Sequence, residues 1–312
     1  MVFRERERER LVNARDAFFN DPGGAMFFGQ PREFVLQDPR LNLFPGARSK
    51  IIRYFKDHRI GWWMGANHLP CGHLLSSQIA CVNHLWAIRE RCDLATAVLK
   101  AIDIDIVTAE FVPEFVGGQA DDGFVAFEFI GKCPRLKERS FTRGANCTSL
   151  DAFMIGRTKA GERRAFLIEW KYVETYPSSN KYVEQRAKVY DHLIRDALSP
   201  FKHTYAKDFY YEPFYQLMRQ TLLGWLMIKH GDVGCSSFRH VHVVPKANSN
   251  FRQGVTAPAF FEKTVCSAWK SVLKEPERFV TIDPACFMAP IRGLCGTDDL
   301  LNYLGERYWA GV

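Results

Sequence analysis

The chain has 312 residues, of which 47% are hydrophobic and 25% charged, with a formal net charge of +7. This composition predicts a globular protein with a real core, and it excludes a disordered or membrane-spanning chain. The N-terminus has no apolar core of the signal-peptide kind. Nine scattered cysteines without a Cys-x-x-Cys pair predict free thiols and a cytoplasmic location.

The first third of the chain predicts helices around an irregular segment. The alternating RERERER start predicts a frayed, solvated beginning of a helix that continues through Phe18. Turn formers recur over residues 21–46 and predict irregular structure. An apolar stripe over residues 76–99, with Ser76 or Ser77 as the cap, predicts one long amphipathic helix.

The middle of the chain predicts strands. Residues 104–130 read as extended, and two apolar strands are expected over 148–155 and 164–174. Gly156 and Gly161 flank the link between them, which predicts an antiparallel hairpin.

The last third predicts helices and two further strands. Helices are expected after Pro177, over about 213–231 and over about 259–273, with strands at FRHVHVV and FVTID. This order predicts an α/β fold in which helical layers flank a central mixed sheet. Neither a Gly-rich nucleotide-binding turn nor a Gly-x-Ser-x-Gly elbow is found in the sequence.

Three charged residues interrupt the two apolar strands of the hairpin. Asp151 lies near the start of the first, and Glu169 and Lys171 share one face of the second because strand side chains alternate. The second strand is apolar on both faces before Glu169, so it is expected to be central and buried. Burying such charges is costly unless they have a use.

A metal-dependent reaction on a phosphodiester would use all three groups. Two carboxylates, Asp151 and Glu169, are hard oxygen ligands suited to Mg²⁺ or Mn²⁺. Lys171 can hold or deprotonate an attacking water, or stabilise developing negative charge. The alternative is a structural ion pair between Glu169 and Lys171, with Asp151 capping a turn.

The charge distribution fits a polyanionic substrate. Residues 131–164 carry nine basic side chains against three acidic ones, and they bracket Asp151. A solvated hairpin rich in Lys and Arg is the alternative explanation.

The pattern of an Asp followed by Glu-x-Lys on adjacent strands, after a long helix, resembles the PD-(D/E)XK nuclease superfamily. Leu150 stands where the family name has proline, and the neighbouring TSLD, KYVE and SSQ segments resemble an uncharacterised bacterial branch. The resemblance implies a three-layer restriction-endonuclease-like core in αβββαβ order. It also implies Asp151 and Glu169 as metal ligands, Lys171 as the catalytic lysine, Mg²⁺ or Mn²⁺ as cofactor, and cleavage of DNA.

The same resemblance leads to a wider set of expectations. Glu174, Gln78 and Glu90 are candidates for a further site group, since no helical acid is obvious. The residues expected to contact nucleic acid are Arg143, Arg157, Lys159, Arg163, Arg164, Lys181 and Arg186. RNA as substrate, and an inactive nuclease-fold protein that binds nucleic acid or a protein partner, remain alternatives.

Three regions are expected along the chain. Residues 1–70 form an N-terminal extension packed on the core. Residues 71–285 form the core, with a helical insertion around 205–231. Residues 286–312 form a C-terminal helical tail.

Overall fold

The computed structural model describes residues 2–131, 136–138 and 147–309. Its helices within these ranges are α1 (Phe3–Phe19), α2 (Arg48–Asp57), α3 (Ser77–Arg89), α4 (Cys92–Ile102), α5 (Glu184–Ile194), α6 (Phe214–Lys229), α7 (Ser249–Arg252), α8 (Val265–Val272), α9 (Pro284–Met288) and α10 (Asp298–Leu304). Its strands are β1 (Met26–Phe27), β2 (Gln30–Pro31), β3 (Ile106–Glu110), β4 (Phe115–Val116), β5 (Gln119–Ala120), β6 (Ala126–Phe129), β7 (Leu150–Thr158), β8 (Arg163–Trp170), β9 (Ser237–Val243) and β10 (Phe279–Ile282).

Six strands form a central mixed sheet in the order β10-β9-β8-β7-β3, with β6 also paired to β7. β7 and β8 form the antiparallel hairpin that the sequence predicts, whereas β8, β9 and β10 run parallel to one another. β3 and β6 pair antiparallel with successive halves of the same β7 edge. The predicted mixed α/β architecture is therefore confirmed.

Helices cover both faces of this sheet, as the alternation of buried residues requires. Ala152 and Met154 of β7 join a hydrophobic cluster with α1 to α4 and the C-terminal segment. Phe153 and Ile155 join a second cluster with α5, α6 and α8. Both faces of β7 and β8 are buried, and the result is three layers.

Gly224 lets α6 pack closely on the sheet. A Cβ at this position would lie 2.6 Å from Leu167 Cδ2 and 3.0 Å from Phe238 Cδ2. Gln216, Gln220 and Gly224 are spaced four residues apart, so they share the face of α6 that lies over the sheet. The close approach brings both glutamine side chains to the end of β8.

The prediction of one long helix over residues 76–99 is wrong, because the structure has two helices there, α3 and α4. Ser76 Oγ accepts a hydrogen bond from Ile79 N and caps α3, as predicted. The chain then leaves helical geometry at Arg91, whose φ is −135° and ψ 115°. The apolar spacing continues across this break, so the sequence pattern reads as a single helix.

The charged N-terminus is exposed over most of its length, as the sequence predicts, but buried residues anchor it. Phe3 and Glu7 of α1 are buried, and Glu7 is only 1% exposed. Glu7 accepts hydrogen bonds from the Tyr172 hydroxyl at 2.7 Å and from Arg10 Nη2 at 2.9 Å. The hydrogen bond between Glu7 and Tyr172, the residue after Lys171, thereby anchors α1 next to the end of β8.

Some predicted boundaries shift. The second hairpin strand ends at Trp170 instead of at residue 174, and the helix predicted over 259–273 is the shorter α8. The division at residues 70 and 285 stays a prediction, although α1, α2 and α10 share one hydrophobic cluster with α3 and α4.

Within the described residues, no helix combines the length and apolar character needed to cross a bilayer.

Candidate active site

Asp151, Glu169 and Lys171 line one cavity with a volume of about 790 Å³. Asp151 is the second residue of β7, Glu169 is the penultimate residue of β8, and Lys171 follows that strand directly. The cavity is of ligand-binding size, since such sites measure roughly 300–1,000 Å³. The structure therefore brings together the three residues that the sequence singled out.

A row of three carboxylates crosses the sheet at this point. The strand register places Glu128 of β6 opposite Asp151 on one side and Glu169 opposite it on the other. The pairs that fix this register are Phe127–Ala152, Phe129–Leu150 and Ala152–Ile168. Opposed side chains in antiparallel pairs project from the same face, so the three carboxylates crowd one another.

The electrostatics of Asp151 reflect this crowding. Burial raises the pKa of Asp151 well above its usual range, and the charges of Glu169 and Glu128 raise it further. The Lys171 ammonium and a hydrogen bond from Trp170 N, 2.7 Å long, act in the opposite direction without cancelling the effect. A bound cation would relieve this excess of negative charge.

Lys171 is held against Glu169. It is 5% exposed, and its Nζ donates to Glu169 Oε1 at 2.5 Å and to Gln216 Oε1 at 2.7 Å. Burial opposes the charged form of Lys171, but the Glu169 carboxylate, with Tyr176 and Glu174, outweighs it and raises the pKa of Lys171. Lys171 is therefore an ammonium at neutral pH.

Two glutamines from α6 orient the Glu169 carboxylate. Gln216 Nε2 donates to Glu169 Oε1 at 2.6 Å, and Gln220 Nε2 donates to Oε2. Behind Gln220, His240 Nε2 lies 3.0 Å from Gln220 Oε1, and His240 Nδ1 lies 3.1 Å from Thr221 Oγ1. Burial lowers the pKa of His240 to about 3, so the ring is neutral and donates from Nε2 to the Gln220 carbonyl oxygen. The two glutamines thus orient the Glu169 carboxylate directly, and His240 in turn orients Gln220.

Gln78, a candidate from sequence, lies at the start of α3 and reaches the carboxylate row. Its Nε2 donates to Glu128 Oε1 at 2.7 Å, and its Oε1 accepts from Trp63 N at 2.9 Å. Ser149 Oγ donates to Glu128 Oε2 at 3.1 Å. Glu128 itself has a φ of +47°, a left-handed conformation that is unusual for this residue type within a strand.

The other two candidate acids have different positions. Glu174 lines the cavity, and its Oε2 accepts a hydrogen bond of 2.6 Å from Tyr172 N. Glu90 follows α3, pairs with Lys50 at 2.9 Å, and lines a separate cavity. The structure therefore brings Glu174, and not Glu90, to the site.

The basic residues of the hairpin lie at its far end. Arg157 and Arg163 pair with Glu110, and Arg164 pairs with Asp103. Arg157 lies six positions after Asp151 along β7, which is about 20 Å at roughly 3.3 Å per residue. Lys159 lies in the link beyond. None of these four basic side chains lines the cavity.

The remaining expected nucleic-acid contacts lie near α5. Arg186 Nε donates to Glu138 Oε2 at 2.9 Å, and its Nη1 donates to the Lys181 carbonyl at 2.8 Å. Arg143 lies outside the described residues. Arg4, Lys171 and Arg219 are the described cationic residues that line the cavity.

The donor set fits a hard divalent cation. Asp151 and Glu169 present carboxylate oxygens to one cavity, which Glu128, Glu174, Arg4, Lys171 and Arg219 also line. In residues 2–131, 136–138 and 147–309, no group of three or more His, Cys, Asp or Glu side chains stands at metal-binding spacing. Mg²⁺ can be held by one or two carboxylates, with water and phosphate completing its shell.

Sequence reasoning missed three residues of this site. Glu128 had a local signal, since it is the one acid in the apolar strand AFEF, as Asp151 is in its own strand. Gln216 and Gln220 had a weaker signal, namely two amides four residues apart on an otherwise apolar helix.

Comparison with known proteins gives one family. The family described as "Restriction Endonuclease associating with ARP" matches residues 8–309. No curated protein and no solved structure gives a significant match.

Proposed function

Because the chain belongs to the family of restriction endonucleases associating with ARP, we propose that it is a metal-dependent nuclease that hydrolyses phosphodiester bonds of DNA. The observation that carries the proposal is the convergence of Asp151, Glu169 and Lys171 on one cavity wall. A chance arrangement of surface charges would not place two buried ionisable side chains, Glu169 and Lys171, beside a partly buried third, Asp151, around a shared space.

In the proposed mechanism, Asp151 and Glu169 hold Mg²⁺ or Mn²⁺. When bound, such an ion polarises the scissile phosphate and lowers the pKa of a bound water. Gln216 and Gln220 keep the Glu169 carboxylate in a fixed orientation through hydrogen bonds to its two oxygens. That preorganisation lowers the cost of assembling the site.

Lys171 is the third group of the proposed mechanism. In the metal-free protein its ammonium pairs with Glu169, which raises the pKa of Lys171, and a cation held by Glu169 would offset that effect. We assign Lys171 to holding or deprotonating the attacking water, or to stabilising negative charge that develops on the phosphate.

A DNA-cleavage assay tests the proposal. With Mg²⁺ and either supercoiled plasmid or single-stranded circular DNA, wild type should produce cleaved product, and EDTA should stop the reaction. Lys171→Met and Glu169→Gln should lower the rate by more than about 100-fold, as expected when a group that acts on the transition state is removed. Lys188→Met is the matched control, since this lysine is exposed and pairs only with Glu184 on α5. Full activity in either site variant, with the fold checked by circular dichroism, would refute the assignment.

A second candidate function rests on the same carboxylate. Both oxygens of Glu169 already accept hydrogen bonds within the protein, and its partner Lys171 forms a closed ion pair with it. A catalytically inactive nuclease-fold protein that binds nucleic acid or a protein partner would keep such an arrangement. Binding of DNA with steep salt dependence, but without cleavage under Mg²⁺, Mn²⁺ or Co²⁺, would identify this function.

Partner and location follow as further proposals. The family description names association with ARP, so we propose ARP as a partner of this chain. The eight cysteines among the described residues are all free, which supports a reducing compartment such as the cytoplasm. Co-purification of tagged chain with ARP tests the first point.

A further inference from the structure

The mouth of the cavity carries exposed aromatic side chains. Phe28 is 75% exposed and Trp63 is 48% exposed, and both line the cavity that contains Asp151 and Glu169. Phe27 lies between them, with its ring centroid 4.6 Å from Phe28 and 6.2 Å from Trp63. We call Phe28 and Trp63 the aromatic rim.

The backbone at Phe28 is strained, and the Phe28 side chain lines the cavity. Phe28 and Gly29 form the two-residue link of the β1–β2 hairpin, with φ values of +49° and +73°. A two-residue turn of this hand favours Asn-Gly, whereas a bulky aromatic residue with positive φ is an outlier. Backbone strain of this kind clusters at ligand sites, and Phe28 lines the cavity.

Trp63 is tied to the carboxylate row. Its backbone N donates to Gln78 Oε1 at 2.9 Å, and Gln78 Nε2 donates to Glu128 Oε1 at 2.7 Å. One polar side chain therefore spans from the rim to the carboxylate opposite Asp151. The rim and the proposed reacting centre form one continuous surface.

Among the described residues, few cationic side chains at the cavity are free to bind phosphates. Proteins that grip duplex DNA neutralise several phosphates with free Lys or Arg side chains. Of the cationic residues that line this cavity in the described part of the chain, Lys171 pairs with Glu169 and Arg219 lies 3.4 Å from Glu138. Arg4 is exposed at the cavity wall and is available to a phosphate.

We propose that the aromatic rim stacks an unpaired base, and that the substrate engaged by this cavity is single-stranded DNA or an unpaired DNA end. The inference rests on the proposed nuclease function and specifies its substrate. Aromatic rings bind bases of single strands by stacking, which needs few charges and tolerates any sequence. In a duplex the faces of the bases are covered by their neighbours, so the rim has nothing to stack on.

Two substitutions remove the rim with little risk to the fold. Phe28→Asn deletes the ring and creates the Asn-Gly pair that this turn prefers, so the hairpin should be retained. Trp63→Ala deletes the indole and keeps the N–H that binds Gln78. Phe115→Ala is the matched control, since Phe115 is an exposed aromatic residue in the β4–β5 hairpin and does not line the cavity.

Binding is measured by fluorescence anisotropy in EDTA, with a labelled 20-nucleotide single strand, the matching duplex and the same RNA sequence. We expect wild type to bind the single strand at least 10-fold more tightly than the duplex. Phe28→Asn and Trp63→Ala should each weaken single-strand binding about 10-fold, within the range of a lost stacking contact. The Phe115→Ala protein should bind as wild type does.

The possible outcomes distinguish the inference about the aromatic rim from the proposed nuclease activity. Equal affinity for single strand and duplex, tighter binding of RNA than of DNA, or rim variants that bind as wild type does, would overturn the inference even if the protein cleaves DNA. Rim-dependent binding without cleavage under any divalent metal would support the inference and refute the proposed nuclease activity.

Discussion

Glu128 stands opposite Asp151 in the register of the β6–β7 pair, which brings two carboxylates together where β7 begins. Like charges in directly opposed positions destabilise a sheet by roughly 0.2–1 kcal/mol, and burial increases the effect. Glu169 continues the row on the other side of Asp151. The three neighbouring carboxylates therefore lower the stability of the fold at the place where the proposed metal site needs negative charge.

Glu128→Gln should change stability and metal binding in opposite directions. The substitution removes the Glu128 charge, which is one of the charges that raise the pKa of Asp151. The metal-free protein should therefore be more stable by up to about 1 kcal/mol. The affinity for Mn²⁺ should fall about 10-fold, because the site attracts a cation less strongly. Urea denaturation in EDTA and calorimetric titration with Mn²⁺ measure the two effects.

Glu90→Gln is the control for this pair of measurements. Glu90 is also an acid near the end of α3, but it pairs with Lys50 away from the cavity. Its replacement should leave Mn²⁺ affinity unchanged. If both variants bind Mn²⁺ as wild type does, Glu128 has no part in the metal site.

Gln216→Ala and Gln220→Ala should each lower nicking activity about 10- to 100-fold, the range typical of groups that orient a metal ligand. Both amides donate to the Glu169 carboxylate, so their losses should not add. The double variant should be only slightly slower than the worse single variant. A double-mutant cycle on initial rates, with Mn²⁺ affinity measured alongside, tests this; fully additive losses would show that the two side chains act independently.

The sequence was informative where the signal is local. Asp151, Glu169 and Lys171 each interrupt an apolar strand, and a short-range pattern suffices to detect such a residue. The hairpin, the central strand buried on both faces and the order of helices and strands come from the same kind of signal. Glu128 carries that signal too, and attention to acids in every strand would have found it.

Contacts between residues far apart in the chain could not be predicted from the sequence. Gln216 and Gln220 lie 47 and 51 residues from Glu169, and only the packing of α6 through Gly224 brings them to it. The arginines of the hairpin lie away from the cavity, and their contact with nucleic acid stays a prediction. These arginines meet Glu110 and Asp103, whose positions depend on how β3 and α4 pack. Proximity in sequence did not imply proximity in space.

Buried histidines should make the protein sensitive to mild acid. Burial lowers the pKa of four of them, to about 4 for His73, to about 3 for His84 and His240, and well below the usual value for His242. The unfolded chain takes up protons near pH 6.5, whereas the native protein does not. The stability that neutral histidines provide is therefore complete above pH 6.5 and is lost as the pH falls toward 4.

His84→Gln isolates one of these histidines, which packs on Trp170 and does not line the cavity. Each proton bound only by the unfolded state contributes about 1.4 kcal/mol per pH unit to the slope of stability against pH. Between pH 6 and 5 the variant should therefore show a slope smaller by about that amount. Urea denaturation at several pH values measures it, with replacement of the exposed His68 as the control; an unchanged slope in His84→Gln would contradict a neutral buried ring.

Gly224→Ala should destabilise the protein although alanine is the better helix former. The helix gains up to about 1 kcal/mol from propensity. Against this, the new Cβ would lie 2.6 Å from Leu167 Cδ2 in a fully packed layer, and overpacking of this kind costs about 1–3 kcal/mol. The balance is a net loss of about 1 kcal/mol, measured by urea denaturation. Gly61→Ala, with open space around the added Cβ, should change stability little.

A second substitution shows whether the contact with Leu167 is the cause. In a Leu167→Ala background the nearest crowding atom is gone and the Phe238 ring, 3.0 Å from the added Cβ, remains, so Gly224→Ala should destabilise the protein less than it does in wild type. Activity gives an independent readout, because displacement of α6 from the sheet also moves Gln216 and Gln220 away from Glu169. Nicking by Gly224→Ala should therefore fall by more than its loss of folded protein explains. Additive stability changes in the two backgrounds would exclude the proposed role of close packing at Gly224 in positioning the site.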